Sequence, residues 1–430
     1  DRYRSTLLAT TCDLVARAML EFSDALLRAA GLPSAASLWQ PDPIVKAGKP
    51  GRLLHNRTVT ARLVAATLPF LSKPPPAPIR TATRPTPLEV RCDGEFWAGR
   101  RAVPAEIVDV FMFAWQLDLL EVRLFELEHV VDAFVIWEGL FGQRGIEKPL
   151  VLAANMHRFA RFRDKISYVV QDDLDFRTML SAQRADGKLG KVWAAELGRG
   201  GLKLKSEPGQ DWVNEDHRRD AALRWVKTTD EARRGGGGGA PPRERLFVFS
   251  DLDELPRAEA LLALKHCVPR ADGGRARRVR PPLRLPLSVF LFDFEHRDKN
   301  AGGLNYNAHV LTDPAAQTTR YSEYPRAPPS LGVGTHLNRC VTPAEFFLKT
   351  WLQAESTEWR ADADVPRSLD LLAWYKKGRR GRLRDFGAPV SARDDPNRTY
   401  VPWFIAHNRA RFPYLFPSEF PDGLRHYTTL

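Results

Sequence analysis

The sequence predicts an α/β fold, a mostly parallel central sheet with flanking helices, preceded by a helical N-terminal extension. Three observations predict it. Short apolar runs of strand type alternate with helical stretches from Ile107 onward, and strand–helix alternation favours parallel pairing with helices on the sheet faces. The character of the chain changes across a Pro-rich stretch between Pro74 and Pro87, which separates that alternation from what precedes it. One of the apolar runs, Leu246-Phe247-Val248-Phe249, is continuous and so reads as a strand buried on both faces.

Asp1 to Ala30 reads as one amphipathic helix or a pair, closed by Gly31-Leu32-Pro33. The resulting division is a helical extension over 1–73, a Pro-rich linker or stem over 74–105, and one α/β domain over 106–430. Within that domain Ile107 to Phe111 is the first strand. Leu117, Leu120, Leu124 and Leu127 then recur at helical spacing, with Asp118 placed to cap the helix. Asp132 to Trp137, Lys165 to Val170 and Leu246 to Phe249 supply three more strands. Stretches near 180–210 and 230–245, the second holding five consecutive glycines, are too poor in apolar residues to bury much surface and read as mobile insertions. Thr342-Pro343-Ala344-Glu345 fits a capping box with Pro at the first helical position, and Phe346, Phe347, Trp351 and Leu352 follow as an apolar face.

The 430 residues carry a formal net charge of +12 and 43% hydrophobic residues, enough for a substantial core and favourable to anionic partners. Arg-rich loops such as Arg275 to Arg284 account for much of the excess as well as a binding surface would. Cys12, Cys92, Cys267 and Cys340 form no CxxC pair, which argues against a zinc site; the count permits disulfides without requiring them. Asn56 and Asn397 open Asn-Arg-Thr sequons. No run approaches the ~18 apolar residues that span a bilayer. The chain opens at Asp1, so a leader or anchor ahead of it is compatible with the sequence.

Ser250-Asp251-Leu252-Asp253-Glu254 places three carboxylates in four positions directly after the apolar run. If the strand continues, Asp251 and Asp253 share one side of it, at the end where ligands bind in open α/β sheets. Carboxylates this crowded need a counter-charge, and a hard divalent cation supplies one, Mn²⁺ or Mg²⁺ by the oxygen ligands on offer. A metal bridging a diphosphate would neutralise charge on a departing nucleotide. A solvated acidic turn is the plain alternative.

Several blocks in order resemble glycosyltransferase family 17, the family that adds a bisecting N-acetylglucosamine to N-glycans. They are Asp118-Leu119-Leu120-Glu121 through Val131-Asp132-Ala133-Phe134-Val135-Ile136-Trp137-Glu138, then Trp212-Val213-Asn214-Glu215 to Arg219, then the acidic motif through Pro256, then Gly334-Thr335-His336, and last Pro402-Trp403-Phe404-Ile405. The resemblance implies a GT-A type fold, an inverting mechanism, UDP-N-acetylglucosamine as donor and a mannose of an N-glycan or glycoprotein as acceptor. It also implies a Golgi lumenal location, as a type II membrane protein anchored outside these residues. Asp251, Asp253 and His336 match the family's metal site. Glu138, Asn214, Arg219 and Asp251 are the expected donor contacts, Arg219 because a guanidinium fork suits phosphate oxygens. Glu254, Glu215 and Glu295 are the catalytic candidates, with Asp293 a further possible base. Glu254 reads equally as an orienting residue or as a first-turn helix glutamate. The family block Gly-Trp-His-Cys is altered here, with Thr335 in place of Trp and Leu337 in place of Cys. Two other classes remain in view: a basic nucleic-acid-binding protein, suggested by charge alone, and a glycan-binding relative with altered catalysis or another acceptor.

Overall fold

The computed structural model describes residues 57–84, 89–143, 148–171, 210–235, 243–270, 280–291, 293–297, 304–312, 324–338, 340–352, 388–389, 400–423 and 425–428, with a few residues between 25 and 31. Most of the expected N-terminal helices and the 180–209 insertion lie outside them, as do Gly236 to Gly239 of the glycine run, both sequon asparagines and Cys12.

Helix Arg57–Leu71 comes first, followed by β1 (Trp97–Arg100) and β2 (Glu106–Phe113). Helix Leu117–Leu127, β3 (Ala133–Gly139), a helical stretch across 151–165, and β4 (Ile166–Gln171) follow. The long helix Gln210–Gly235 leads to β5 (Arg245–Phe249), β6 (Glu254–Leu255), helix Ala258–His266 and β7 (Cys267–Pro269). After β8 (Leu283–Leu291), β9 (His296–Arg297), β10 (Leu304–Leu311) and β11 (Gly334–Asn338) come helix Pro343–Leu352, β12 (Ala388–Pro389) and helix Trp403–His407.

The four strands legible in the sequence form the parallel half of a mixed sheet. β5 pairs with β2, β2 with β3 and β3 with β4, all parallel. Beyond β5 the order runs through β10, β8, β9 and β12 with antiparallel pairing, while β11 lies parallel to β8 and antiparallel to β6. β2, β3 and β5 are buried along nearly their whole length, as strands covered on both faces are, while β4 at the edge is only partly buried. A main core cluster on one face holds Ile107, Phe111, Phe134, Ile136, Leu246 and Val248; a smaller one on the other holds Val108, Val110, Val135, Phe247 and Phe249 against Leu223 and Val226. Alternate strand residues thus go to opposite faces.

Helix Leu117–Leu127 departs from the amphipathic expectation: all eleven of its residues are buried. Its charged residues are each answered by a partner, as burial requires. Asp118 does not cap it, since no side-chain cap bond forms at its N-terminus. It binds the Arg158 guanidinium at 2.5 Å and the Tyr427 hydroxyl at 3.2 Å instead. Glu121 is held by Arg158 and Arg411, and Glu126 accepts from the Tyr400 hydroxyl and the Phe404 amide.

The described part of the Pro-rich stretch, residues 74–84, has no regular helix or strand and bonds to the C-terminal segment. The Asn408 side chain accepts from the Arg80 and Thr81 amides and donates to the Thr81 carbonyl, and Arg411 and His426 bond the carbonyls of Ala77 and Pro74. The prolines Pro74 to Pro78 offer carbonyls but no N–H donors, and the amides of Arg80 and Thr81 supply the donors further on. Just after it, Cys92 and Cys267 form a disulfide that ties this segment to β7. Cys340 is a buried free thiol whose pKa burial pushes well up.

Candidate active site at the end of the parallel strands

β2, β3 and β5 point their C-terminal ends the same way. The segments leaving those ends line one cavity of about 150 Å³: Phe113 to Gln116 after β2, Gly139 and Phe141 after β3, and Asp251 to Glu254 after β5. This is the position that an open α/β sheet offers a ligand. β11 and helix Pro343–Leu352 close the far side with His336 and Lys349.

The acidic motif is a turn. β5 ends at Phe249, and the Glu254 amide bonds back to the Asp251 carbonyl at 3.0 Å. The expected alternation of Asp251 and Asp253 along a continuing strand therefore does not occur, and the two face different cations. Asp251 accepts two bonds from Arg219 Nη2, at 2.7 and 2.8 Å, on the half-exposed side of the turn. Asp253 Oδ2 accepts from Lys349 Nζ at 3.0 Å, and its Oδ1 stands 3.9 Å from His336 Nε2. Burial alone would raise the Asp253 carboxyl, but Lys349 and His336 hold it below the ordinary carboxylate value.

Glu254 is in β6, not in the first turn of the following helix, where Glu259 stands. Its carboxylate accepts the Asp251 amide at 3.0 Å, and its strand position registers with His336 of β11. Burial first, then the charges of Asp251 and Asp253, push its pKa up to about 7.

The turn is shaped from beneath by Arg123. This guanidinium is fully buried, forks onto both oxygens of Asp109 in β2 at 2.7 and 2.8 Å, and lies over the Phe111 ring. Its remaining donors bind the Ser250 hydroxyl at 2.7 Å and the carbonyls of Asp251 at 2.8 Å and Glu254 at 2.9 Å. Sequence reasoning missed it. The available signal was two lone opposite charges inside apolar runs, Val108-Asp109-Val110 and Val122-Arg123-Leu124. Lone buried charges of that kind survive only as a pair.

Asp251, Asp253, Glu254, Arg219 and His336 are therefore brought together, with Lys349 and Arg123 added to them. Glu138 stands apart from this group. Its carboxylate is buried and occupied by Lys148 at 2.9 Å, the Tyr168 hydroxyl at 2.7 Å and the amides of Val151 and Leu152, so it anchors a helix start behind the cavity wall. Glu295 accepts from the amide and hydroxyl of Ser418 and does not line the cavity. Asp293 accepts the Glu295 amide nearby. Asn214 and Glu215 lie on helix Gln210–Gly235, with side chains outside the described residues. Thr335, at the altered position of the family block, is buried and donates its hydroxyl to the Tyr400 carbonyl at 2.7 Å. On the cavity wall Trp115 is almost wholly buried, and its indole Nε1 has no hydrogen-bond partner among the described residues.

Among the described residues no three His, Cys, Asp or Glu side chains are grouped closely enough to enclose a metal ion. Two do fit one. Donors at about 2.1 Å from a hard divalent cation stand at most about 4.2 Å apart, and the 3.9 Å between His336 Nε2 and Asp253 Oδ1 is inside that limit.

The family model for glycosyltransferase family 17 matches residues 65–182, a stretch that includes β2, β3 and β4 and ends before the acidic turn. Three curated relatives, named beta-1,4-mannosyl-glycoprotein 4-beta-N-acetylglucosaminyltransferase, come from Rattus norvegicus, Homo sapiens and Mus musculus. Each is 28% identical over 167 residues, which is 38% of this chain and 24% of the relative. The match thus spans about a quarter of the length of these relatives. No solved structure matches the chain.

Proposed function

We propose that this chain is a glycosyltransferase of the GT-A type that transfers N-acetylglucosamine from UDP-N-acetylglucosamine, with inversion, to a mannose of an N-glycan. The observation that carries the reading is the acidic turn at the C-terminal end of a parallel strand, with Asp251, Asp253 and His336 at one cavity. The family match and the names of the relatives supply the sugar and the acceptor.

A divalent cation, Mn²⁺ or Mg²⁺, is part of this proposal. Asp253 and His336 would hold it, with Asp251 within the same turn, and when bound it would supply Lewis-acid stabilisation of the departing diphosphate. The chain's own residues do the remaining work. Arg219, fixed by two bonds to Asp251, presents its guanidinium beside the cavity, where it suits phosphate oxygens. Arg123 fixes the backbone of the turn, so the carboxylates are set before the donor arrives. Inversion requires a base for the acceptor hydroxyl. Of the three catalytic candidates, Glu254 lines the cavity and Glu295 does not.

A secretory location fits the Cys92–Cys267 disulfide, since such bonds persist in oxidising compartments. No described helix is long and apolar enough to cross a membrane, so a type II anchor would lie elsewhere.

Incubation with UDP-N-acetylglucosamine, Mn²⁺ and candidate N-glycans tests the reading by UDP release. Glycan-dependent release that EDTA suppresses is expected. Absence of donor binding at any metal concentration sinks the proposal, and donor binding without turnover on any glycan would favour a glycan-binding relative.

A further inference from the structure

Lys349 is a second cation on the acidic turn, and no sequence motif announced it. It comes from helix Pro343–Leu352, whose start is fixed by a capping box: Glu345 Oε2 accepts the Thr342 amide at 2.8 Å and Thr342 Oγ1 accepts the Glu345 amide at 3.4 Å. From there its ammonium reaches Asp253 Oδ2 at 3.0 Å. His336 stands at the other oxygen of the same carboxylate. Both oxygens of the residue best placed to hold a divalent cation are therefore already faced by groups of this chain.

We infer that Lys349 is an internal counter-ion for Asp253 and that it and a divalent cation exclude one another there. The inference rests on the proposed reading only in that Asp253 and His336 accept a cation. An ammonium in contact cancels the charge that would attract a metal, and like charges on one carboxylate repel. Replacement is geometrically open. Lysine is a compact charge on a flexible four-carbon stem, and Lys349 lines the same cavity as Arg218 and Asp251, where an anionic ligand would sit. A diphosphate entering the cavity gives the displaced ammonium a new partner. Cation loading is thus weak without an anion and strengthened by one. Arg123 offers no such exchange, because its five donors are all directed at fixed acceptors in the core.

The test is a Mn²⁺ titration of the full chain without nucleotide, read by the electron paramagnetic resonance signal of free Mn²⁺. Lys349→Met is expected to bind Mn²⁺ about tenfold more tightly than the wild type, a change of about 1.4 kcal/mol, while Lys349→Arg stays weak. Equal or weaker affinity in Lys349→Met, with an unchanged unfolding midpoint, overturns the inference. A second measurement needs no variant. Mn²⁺ should accelerate acetylation of Lys349 by acetic anhydride in the wild-type protein, followed by peptide mass spectrometry; a rate that does not change with Mn²⁺ overturns it as well. Neither measurement contains a sugar donor, so failure of the transferase reading shows separately, as absent UDP release.

Discussion

Two assemblies of basic side chains on carboxylates meet at the acidic turn and differ in what surrounds them. Below the turn, Arg123 and Asp109 are both fully excluded from solvent, and every donor of the guanidinium is answered by protein. Above it, Asp251 with Arg219 and Asp253 with Lys349 line or border a cavity. The lower assembly is saturated and can only hold shape. The upper one can exchange partners. Charge type is the same in both; burial in the core against placement at a cavity separates the structural pair from the chemical ones.

The sharpest way to test that contrast is to damage each assembly in turn. Arg123→Met leaves Asp109 buried without its partner, and breaking a buried pair from one side costs about 3–5 kcal/mol, read as a lowered urea midpoint. Asp253→Asn keeps the size of the side chain and a weaker bond to Lys349. It should leave stability within about 1–2 kcal/mol of wild type while UDP release falls by about 100-fold or more. If the stability losses of the two variants are equal, the contrast fails. Trp115→Phe removes the indole N–H from the cavity wall together with part of a buried ring, so stability should fall by about 1–3 kcal/mol. Since that N–H has no partner among the described residues, donor affinity should also weaken several-fold, about 1 kcal/mol, by calorimetric titration.

Glu345 supplies a third kind of buried carboxyl, one bonded to Thr342 and, among the described residues, without a cation in contact. Burial, and then the charge of Asp118, push its pKa up to about 8 from the ordinary 4.5. Above about 4.5 the unfolded chain releases this proton while the folded protein keeps it. Its contribution to stability is therefore complete below pH 4.5, declines as pH rises toward 8, and is level beyond. Glu345→Gln should flatten that decline in denaturant midpoints measured from pH 5 to 8; an unchanged slope would remove Glu345 as its source.

Much of the parallel half was legible because β2, β3 and β5 put apolar residues on both faces, which leaves a nearly continuous signal in the chain. Ile107 to Phe111, Asp132 to Trp137, Lys165 to Val170 and Leu246 to Phe249 fall within a residue or two of the observed strands. The capping box at Thr342 formed as its spacing predicts. The antiparallel half is less plain. β8 alternates Leu283, Leu285, Leu287 and Val289 with Arg284, Pro286 and Ser288, a period-two signal that the predicted strands do not include, whereas β11 is five residues containing Thr335, His336 and Asn338 and shows no period. Asp118 was read as a cap because helix starts favour acids, but distant Arg158 and Tyr427 claimed it.

The sequence by itself determined that three crowded carboxylates follow a buried strand and must meet positive charge, because the local order of residues fixes both burial and crowding. Which positive charges meet them was decided by tertiary structure alone. Arg219, His336 and Lys349 stand 32, 83 and 96 residues from their carboxylate partners, and Arg123 reaches the turn from 128 residues upstream. No local periodicity encodes such pairings. They arise when the helices and strands carrying them pack on one sheet and bring distant charges to the same strand end.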